Sequence, residues 1–307
     1  MRRVVCIGEC MVELRPAGED LYRRGFAGDV YNTAVYLKRS NPKLDVQFAT
    51  VTGADPLSKA MRQAWAGEGV GDALAAADAG GRPGLYMIEL DAHGERSFRY
   101  WRGESAARSW ARTLAPRIRQ GAFDGASLVY LSGISLAILT PEDRELALEL
   151  VRELKSRVGL IAFDPNLRPA LWDELSKARA AFEAMAPLAD VLLPSRQDLE
   201  LIFGDVDIEQ MARRLTGLGA AEFAITAEAD GCLVHRGRSE WIEAPRVEQV
   251  VDTSGAGDSF NGAYLGARLA GKSPGQAARA GLALAAHIVT QPGAIAAVQP
   301  PGNVADA

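Results

Sequence analysis

Val250-Val251-Asp252-Thr253-Ser254-Gly255-Ala256-Gly257-Asp258-Ser259-Phe260 runs from an apolar stretch, through residues with almost no side chain, into an acid that opens a helical pattern. That order reads as strand, turn and helix. Gly255, Ala256 and Gly257 let backbone N–H groups approach an anion closely, and the helix N-terminus adds roughly half a positive charge at the same spot. Asp258 falls in the first helical turn, beside any phosphate held there. A cradle with a fixed carboxylate at its edge suits phosphoryl transfer to a hydroxyl. The cradle offsets charge on the transferring group, and the carboxylate takes the hydroxyl proton.

Outward from this string, strands and helices alternate. Val4 to Gly8 reads as a buried first strand, Asn32 to Arg39 as a helix, Val46 to Val51 as a strand ending at Thr52-Gly53, and Pro56 to Glu68 as a helix. Further strands are expected at Ser127 to Leu131, Leu160 to Phe163, Val191 to Leu193 and Phe223 to Thr226. A helix is expected over Pro141 to Lys155, capped by Thr140. This alternation implies an α/β fold with a mostly parallel sheet covered on both faces. One region departs from it: Leu85 to Leu90 and Arg96 to Arg102 flank Asp91-Ala92-His93-Gly94-Glu95 and read as a hairpin. Tyr86 and Ile88 share one face of it, as do Phe98, Tyr100 and Arg102 on the partner strand. A hairpin interrupting an α/β domain often serves as a lid or a subunit contact.

Gly266-Ala267-Arg268-Leu269-Ala270-Gly271-Lys272-Ser273 matches the phosphate-loop pattern letter for letter. That loop needs a strand before it and a helix starting at Lys272-Ser273. Here Phe260, Ala263, Tyr264 and Ala267 stand at helical spacing before it, Gly271 reads as a helix end, and Ser273-Pro274-Gly275-Gln276 as the next helix start. The match is expected to be coincidence.

The 307 residues, 48% hydrophobic and 24% charged, are those of an ordinary soluble globule with ample core. A net charge of −5 argues against nucleic-acid binding, which needs a basic face. Cys6, Cys10 and Cys232 have no metal spacing and read as reduced thiols; His93, His235 and His287 form no ligand pattern. Neither a secretory apolar region after Met1-Arg2-Arg3 nor a membrane-spanning run is read, so a cytoplasmic location is expected. Gly25 to Asn32 puts small residues and two polar side chains before a helix, with Asp29 as the expected cap.

Asp252-Thr253-Ser254-Gly255-Ala256-Gly257-Asp258 resembles the C-terminal signature of the PfkB (ribokinase-like) carbohydrate kinases, D-T-x-G-A-G-D. The resemblance extends from Val4 to about Ile295. It implies a three-layer α/β/α fold, with residues 1–307 as one kinase domain and a small β-sheet lid from about 11–25 and 84–103. It makes Asp258 the catalytic base, Gly255, Ala256 and Gly257 the anion hole, ATP the donor and Mg²⁺ its metal. Gly28, Asp29 and Asn32 match the family's N-terminal G-D-x-x-N region, which holds sugar hydroxyls.

Within that family the chain resembles the branch acting on 2-dehydro-3-deoxygluconate. The segments that carry this include Gly8-Glu9-Cys10-Met11-Val12-Glu13-Leu14, Pro83-Gly84-Leu85-Tyr86, Tyr100-Trp101-Arg102 and Phe163-Asp164-Pro165-Asn166-Leu167-Arg168-Pro169. A sugar acid carries a carboxylate, which favours guanidinium partners in a dry pocket. Arg102 and Arg168 are the candidates, with Tyr86 and Tyr100 as pocket walls, and the resemblance brings Asn166 and Arg168 to the nucleotide as well. Thr226, Glu228 and Gly231 match the family's Thr-x-Gly-x-x-Gly nucleotide segment. Glu228 replaces its first glycine, adding negative charge or forcing an altered turn. The family's magnesium-associated N-x-x-E motif stands here as Ser195-Arg196-Gln197-Asp198, and Asp198 keeps a carboxylate able to act on Mg²⁺ through water.

The expected activity is ATP-dependent phosphorylation of the sugar acid at its carbon-six hydroxyl, with a homo-oligomer formed through the lid. Three readings compete with it. A neutral-sugar kinase of the same family would be indifferent to Arg102, a P-loop NTPase would depend on Lys272, and a non-catalytic sugar-binding module would explain Glu228 as decay.

Overall fold

A computed structural model describes residues 2–18, 20–90 and 96–296; the hairpin turn at 91–95 and the tail after Pro300 lie outside the described residues. In chain order the strands are β1 (Arg3–Ile7), β2 (Met11–Gly18), β3 (Leu21–Ala27), β4 (Asp45–Ala49), β5 (Val51–Gly53), β6 (Ala76–Asp78), β7 (Leu85–Leu90), β8 (Arg96–Trp101), β9 (Leu128–Ser132), β10 (Ile161–Asp164), β11 (Val191–Leu192), β12 (Phe223–Ala227), β13 (Gly231–His235) and β14 (Ser239–Glu243). The α-helices are α1 (Asp29–Ser40), α2 (Pro56–Gly67), α3 (Trp110–Arg119), α4 (Gly133–Ala137), α5 (Pro141–Leu154), α6 (Leu175–Met185), α7 (Arg196–Phe203), α8 (Ile208–Gly217), α9 (Ala256–Leu269) and α10 (Pro274–Ile288).

Eight strands form the central sheet in the order β14-β13-β12-β11-β10-β9-β1-β4. The six from β12 to β4 run parallel, and β13 and β14 add an antiparallel edge. Its strands read as unbroken apolar runs because both faces are covered. Val5, Ile7, Val129, Leu131, Ile161 and Phe163 point to one face, under α3 and α5 to α8. Val4, Cys6, Leu128, Tyr130 and Ala162 point to the other, under α1, α2, α9 and α10. Two helical layers on one mostly parallel sheet give the α/β/α architecture expected from the alternation. Among the described residues no helix is long and apolar enough to cross a membrane.

A second sheet, β3-β2-β7-β8, stands beside the first. Tyr86 pairs with Tyr100 and Ile88 with Phe98, so these side chains share a face. Leu21, Trp101, Tyr100 and Phe98 on its outer strands are exposed.

Two readings need correction. Val46 to Val51 is not one strand: β4 ends at Ala49, and β5 pairs with β6 in a separate two-stranded sheet. The neighbour β1 stops at Ile7, and after the Gly8 N–H bonds the Ala49 carbonyl (3.3 Å) there is no strand left to pair with. Asp29 is the first residue of α1 rather than its cap. The cap is Gly28, which makes no side-chain bond to the helix. A Cβ at Gly28 would lie 2.3 Å from the Glu9 carbonyl oxygen, so no capping side chain fits there.

The phosphate-loop look-alike is indeed helical: Gly266 to Leu269 end α9, and Gly271 follows with φ +87°. Ser273 then caps α10 in a reciprocal pair with Gln276.

Candidate active site

Gly255 caps α9 with φ +75° and contributes no side-chain bond; of the N–H groups at this helix start, that of Ala256 donates to the Thr253 carbonyl at 3.2 Å. A Cβ at Gly255 would sit 2.4 Å from the Ala294 carbonyl oxygen, whereas one at Gly257 would meet nothing within 4 Å. Gly255 is therefore glycine for the fold. Gly257 faces open space, where a side chain would fill the cradle. Buried Asp252 braces the turn by accepting from the Ser254 N–H (2.9 Å) and from the Gly293 N–H. Tyr36 fixes the neighbouring strand of chain, donating to the Ala294 carbonyl (2.7 Å) and accepting from the Ala296 N–H (3.1 Å).

Asp258, in the first turn of α9, accepts from Asn32 Nδ2 at 2.8 Å, and Asn32 Oδ1 accepts from the Gly28 N–H at 3.3 Å. The starts of α1 and α9, 226 residues apart, are thus joined at the cradle's mouth. Surrounding protein strips Asp258 of hydration and raises its pKa to about 7; the negative charge of Asp29 adds to this, against the Asn32 bond and the Arg168 charge. A carboxylate so placed can take a proton near neutral pH.

Asn166 bridges to the same group, its Nδ2 donating to Asp29 Oδ2 at 2.9 Å. Its backbone lies in the left-handed region, φ +33°, held by the Asp164 carboxylate accepting from its own N–H at 2.9 Å. Arg168 follows on the exposed rim, with Nη1 on the Leu167 carbonyl (3.2 Å). Its charge reaches both Asp258 and the Tyr100 hydroxyl. Burial raises the pKa of Tyr100 against the charges of Arg102 and Arg168.

From the second sheet come Tyr86, buried, and Tyr100, half exposed, with ring centroids 5.8 Å apart. The Tyr86 hydroxyl donates to Glu13. Arg102 is not a solvated edge charge: it is buried, ion-paired to Glu9, and sits 5.9 Å from the Tyr100 ring centroid.

The residues assigned to the nucleotide lie on the other flank. The Thr226 N–H donates to the Pro194 carbonyl (3.0 Å), which brings the β12–β13 turn against α7. Glu228 adopts φ +48°, so the turn keeps a glycine-like conformation without a glycine. Its carboxylate pairs with Arg196 at 2.7 Å, which offsets the charge it brings. Gly231 is buried in β13, where a Cβ would lie 2.1 Å from the Ile242 carbonyl; close strand approach is what requires glycine there. Asp198 closes a capping box with Ser195 (Oγ 2.7 Å, N–H 3.1 Å) and accepts from the Leu167 N–H (2.8 Å). It thereby joins α7 to the Asn166–Arg168 loop.

Sequence reasoning missed several of the site's members. Asp164, at the C-terminal end of β10, is buried, and burial lifts its pKa well above the usual carboxylate range, helped by the charges of Asp198, Asp29 and Asp258. Asn261 of α9 donates to it at 2.8 Å. It stood within the Phe163–Pro169 segment that carries the resemblance but was given no role; the physical signal was its position after a buried strand, where open α/β sheets gather ligands. Glu9 and Glu13, quoted within the Gly8–Leu14 segment, were likewise given no role. Beside the cradle a hollow of about 430 Å³ is lined by Arg246, Val247, Gln249, Val251 and His287. Glu248, Ala286 and Thr290 complete its lining, most of whose residues are polar, and it opens widely to solvent.

Comparison with known proteins fits this arrangement. The pfkB family carbohydrate kinase profile matches residues 1–300. The 2-dehydro-3-deoxygluconokinase of Dickeya dadantii is 39% identical over 305 residues, 96% of each chain. That of Escherichia coli is 38% identical over 300 residues, 96% of this chain and 97% of that one. The crystal structure of aminoimidazole riboside kinase from Salmonella enterica, complexed with aminoimidazole riboside and an ATP analogue, superposes with a TM-score of 0.82 at 25% identity. It covers 96% of this chain and 95% of that one. A cradle at a helix N-terminus, a carboxylate at its mouth and sequence kinship over almost the full length lead to one assignment: the chain belongs to the pfkB family of carbohydrate kinases.

Proposed function

We propose that the chain transfers the γ-phosphate of ATP to the carbon-six hydroxyl of 2-dehydro-3-deoxy-D-gluconate. The observation that carries the mechanism is the Asn32–Asp258 hydrogen bond at the mouth of the α9 N-terminus, which has no side-chain cap. The substrate follows from two relatives named for it that cover 96% of the chain, and from Arg102 and Arg168, whose charges meet at Tyr100.

Gly28, Asp29 and Asn32 hold the sugar hydroxyls, Tyr86 and Tyr100 wall the pocket, and Arg102 and Arg168 orient the carboxylate. Asp258 removes the proton from the carbon-six oxygen as that oxygen bonds to the γ-phosphorus. The bond from phosphorus to the β,γ-bridging oxygen breaks, and ADP leaves with the electron pair. The N–H groups of Gly255 and Gly257 face the oxygens where charge develops, and that of Ala256 joins them by sharing its bond to the Thr253 carbonyl. The nucleotide runs past Asn166, Arg168, Thr226, Glu228 and Gly231, with its base in the hollow lined by Val247, Val251 and His287.

Among the described residues no cluster of three or more His, Cys, Asp or Glu is set to hold a metal directly. The mutually repelling carboxylates Asp29, Asp164, Asp198 and Asp258 are hard oxygen donors of the kind that Mg²⁺ takes, and Asp198 would act through water on Mg²⁺ brought by the nucleotide. Bound Mg²⁺ would neutralise phosphate charge. The segments 11–25 and 84–103 act as the lid of a single domain, excluding water as it closes.

Two outcomes follow. Proton removal requires ionised Asp258, so kcat/KM for the sugar is expected to rise about tenfold per pH unit up to about 7 and then level off. Steady-state rates from acid to mildly alkaline pH check this, and a flat profile would remove Asp258 from the role. The product's phosphorus NMR signal is expected to be split by the two protons of the terminal CH₂. Splitting by a single CH proton would place the phosphate elsewhere on the sugar.

The exposed Leu21 and Trp101, the latter on the strand face opposite Tyr100, make the lid the expected seam of a homodimer. Light scattering should give twice the chain mass, falling to one chain mass in Trp101→Glu; a wild-type monomer would rule out the seam.

A further inference from the structure

We propose that Glu9 is a positioning residue for substrate selection, holding Arg102 so that the uncommitted part of its guanidinium serves the sugar acid's carboxylate. The inference rests on the sugar-acid reading above.

Glu9 lies just past the C-terminal end of β1 and is 2% exposed; Arg102 directly follows β8 and is 9% exposed. The Glu9 Oε2 accepts from Arg102 Nη2, so the outer lid strand is fastened at its root to the central sheet. Two features separate this pair from an ion pair that only packs. Glu9 Oε1 and Arg102 Nε are buried with no hydrogen-bond partner among the described residues. Buried polar atoms that serve only the fold are nearly always satisfied, and a departure marks a site with another purpose.

The second feature is the chain around them. A Cβ at Gly84 would lie 2.8 Å from Glu9 Oε1 and 3.2 Å from the Arg102 Cβ, and one at Gly28 would lie 2.3 Å from the Glu9 carbonyl oxygen. The lid stem and the sugar loop therefore both close directly on Glu9. Arg102 has five donors in one plane, and Glu9 engages it through Nη2. Fork-like recognition of a carboxylate needs that plane fixed before the ligand arrives. Glu9 fixes it, and its charge keeps the empty pocket from holding an uncompensated guanidinium.

The test is steady-state kinetics of the full chain with Glu9→Ala and Glu9→Gln. In Glu9→Ala the KM for the sugar acid is expected to rise at least about tenfold, with kcat and the KM for ATP within about threefold of wild type. Glu9→Gln keeps an acceptor oxygen of the same reach and is expected to recover most of that loss. An unchanged sugar-acid KM in Glu9→Ala overturns the proposal. So do parallel losses in kcat and both KM values, which a merely structural role would give. Should Glu9→Ala not fold, Glu9→Gln decides alone: a KM raised about two- to fivefold at constant kcat supports the proposal, and an unchanged KM overturns it. Wild-type enzyme inert toward every sugar acid would instead overturn the parent reading, and is seen before any variant is made.

Discussion

Asp258→Asn is expected to fold, to bind sugar and ATP, and to turn over about three orders of magnitude more slowly than wild type, or worse. The amide fills the same space and can still meet Asn32, but it cannot accept the hydroxyl proton. A second consequence concerns stability. The folded-state pKa is raised from 3.8 to about 7, so the native protein binds this proton more tightly than the unfolded chain does. That contribution is fully present below the unfolded value and is lost as pH rises through about 7. Above neutrality the ionised group weighs against the fold, and Asp258→Asn relieves it. Thermal melts at mildly alkaline pH should show the variant at least as stable as wild type, with the difference shrinking in acid. A variant that is both inactive and less stable at alkaline pH would point to lost architecture rather than a lost base.

Gly255→Ala carries the second largest expected effect. At φ +75° any residue with a Cβ costs about 1–2 kcal/mol. The added methyl would also lie 2.4 Å from the Ala294 carbonyl oxygen, so the turn must move. Displacing one N–H donor from a developing oxyanion costs about 10²–10³ in kcat, and that is the loss expected here. Gly257→Ala is the control for fold strain. Its methyl meets nothing within 4 Å, so stability should hardly change while ATP binding weakens. Wild-type kcat in Gly255→Ala would show that the cradle does not stabilise the transferring group.

The cradle was legible in the sequence because its chemistry is local: three small residues and an acid at one helix start. The layered fold was legible too, since strands covered on both faces leave unbroken apolar runs at β1, β9 and β10. Residues alone did not say that Asn32 would meet Asp258 or Asn166 meet Asp29, because these contacts depend on which strands end at the same edge of the sheet. Family resemblance supplied that convergence. Glu9 was assigned no role because an acid after a strand has no local signature, and its partner is 93 residues away.

Capping rules misread Asp29, since they weigh side-chain chemistry and not the 2.3 Å that a Cβ at Gly28 would leave to the Glu9 carbonyl. Glu228 shows the converse. The sequence marked a lost glycine, and the chain retains the left-handed turn at φ +48° while Arg196 takes up the charge. The cost of a non-glycine residue in that region is modest when an ion pair and a tight turn hold it.

ADP release from Mg²⁺-ATP, measured side by side with 2-dehydro-3-deoxygluconate, fructose, ribose and gluconate, tests the central claim most directly. Selective turnover of 2-dehydro-3-deoxygluconate is the predicted result, with the neutral sugars near background. Turnover of fructose or ribose in its place would contradict the carboxylate-directed pocket formed by Arg102 and Arg168, and leave only the cradle and Asp258 standing.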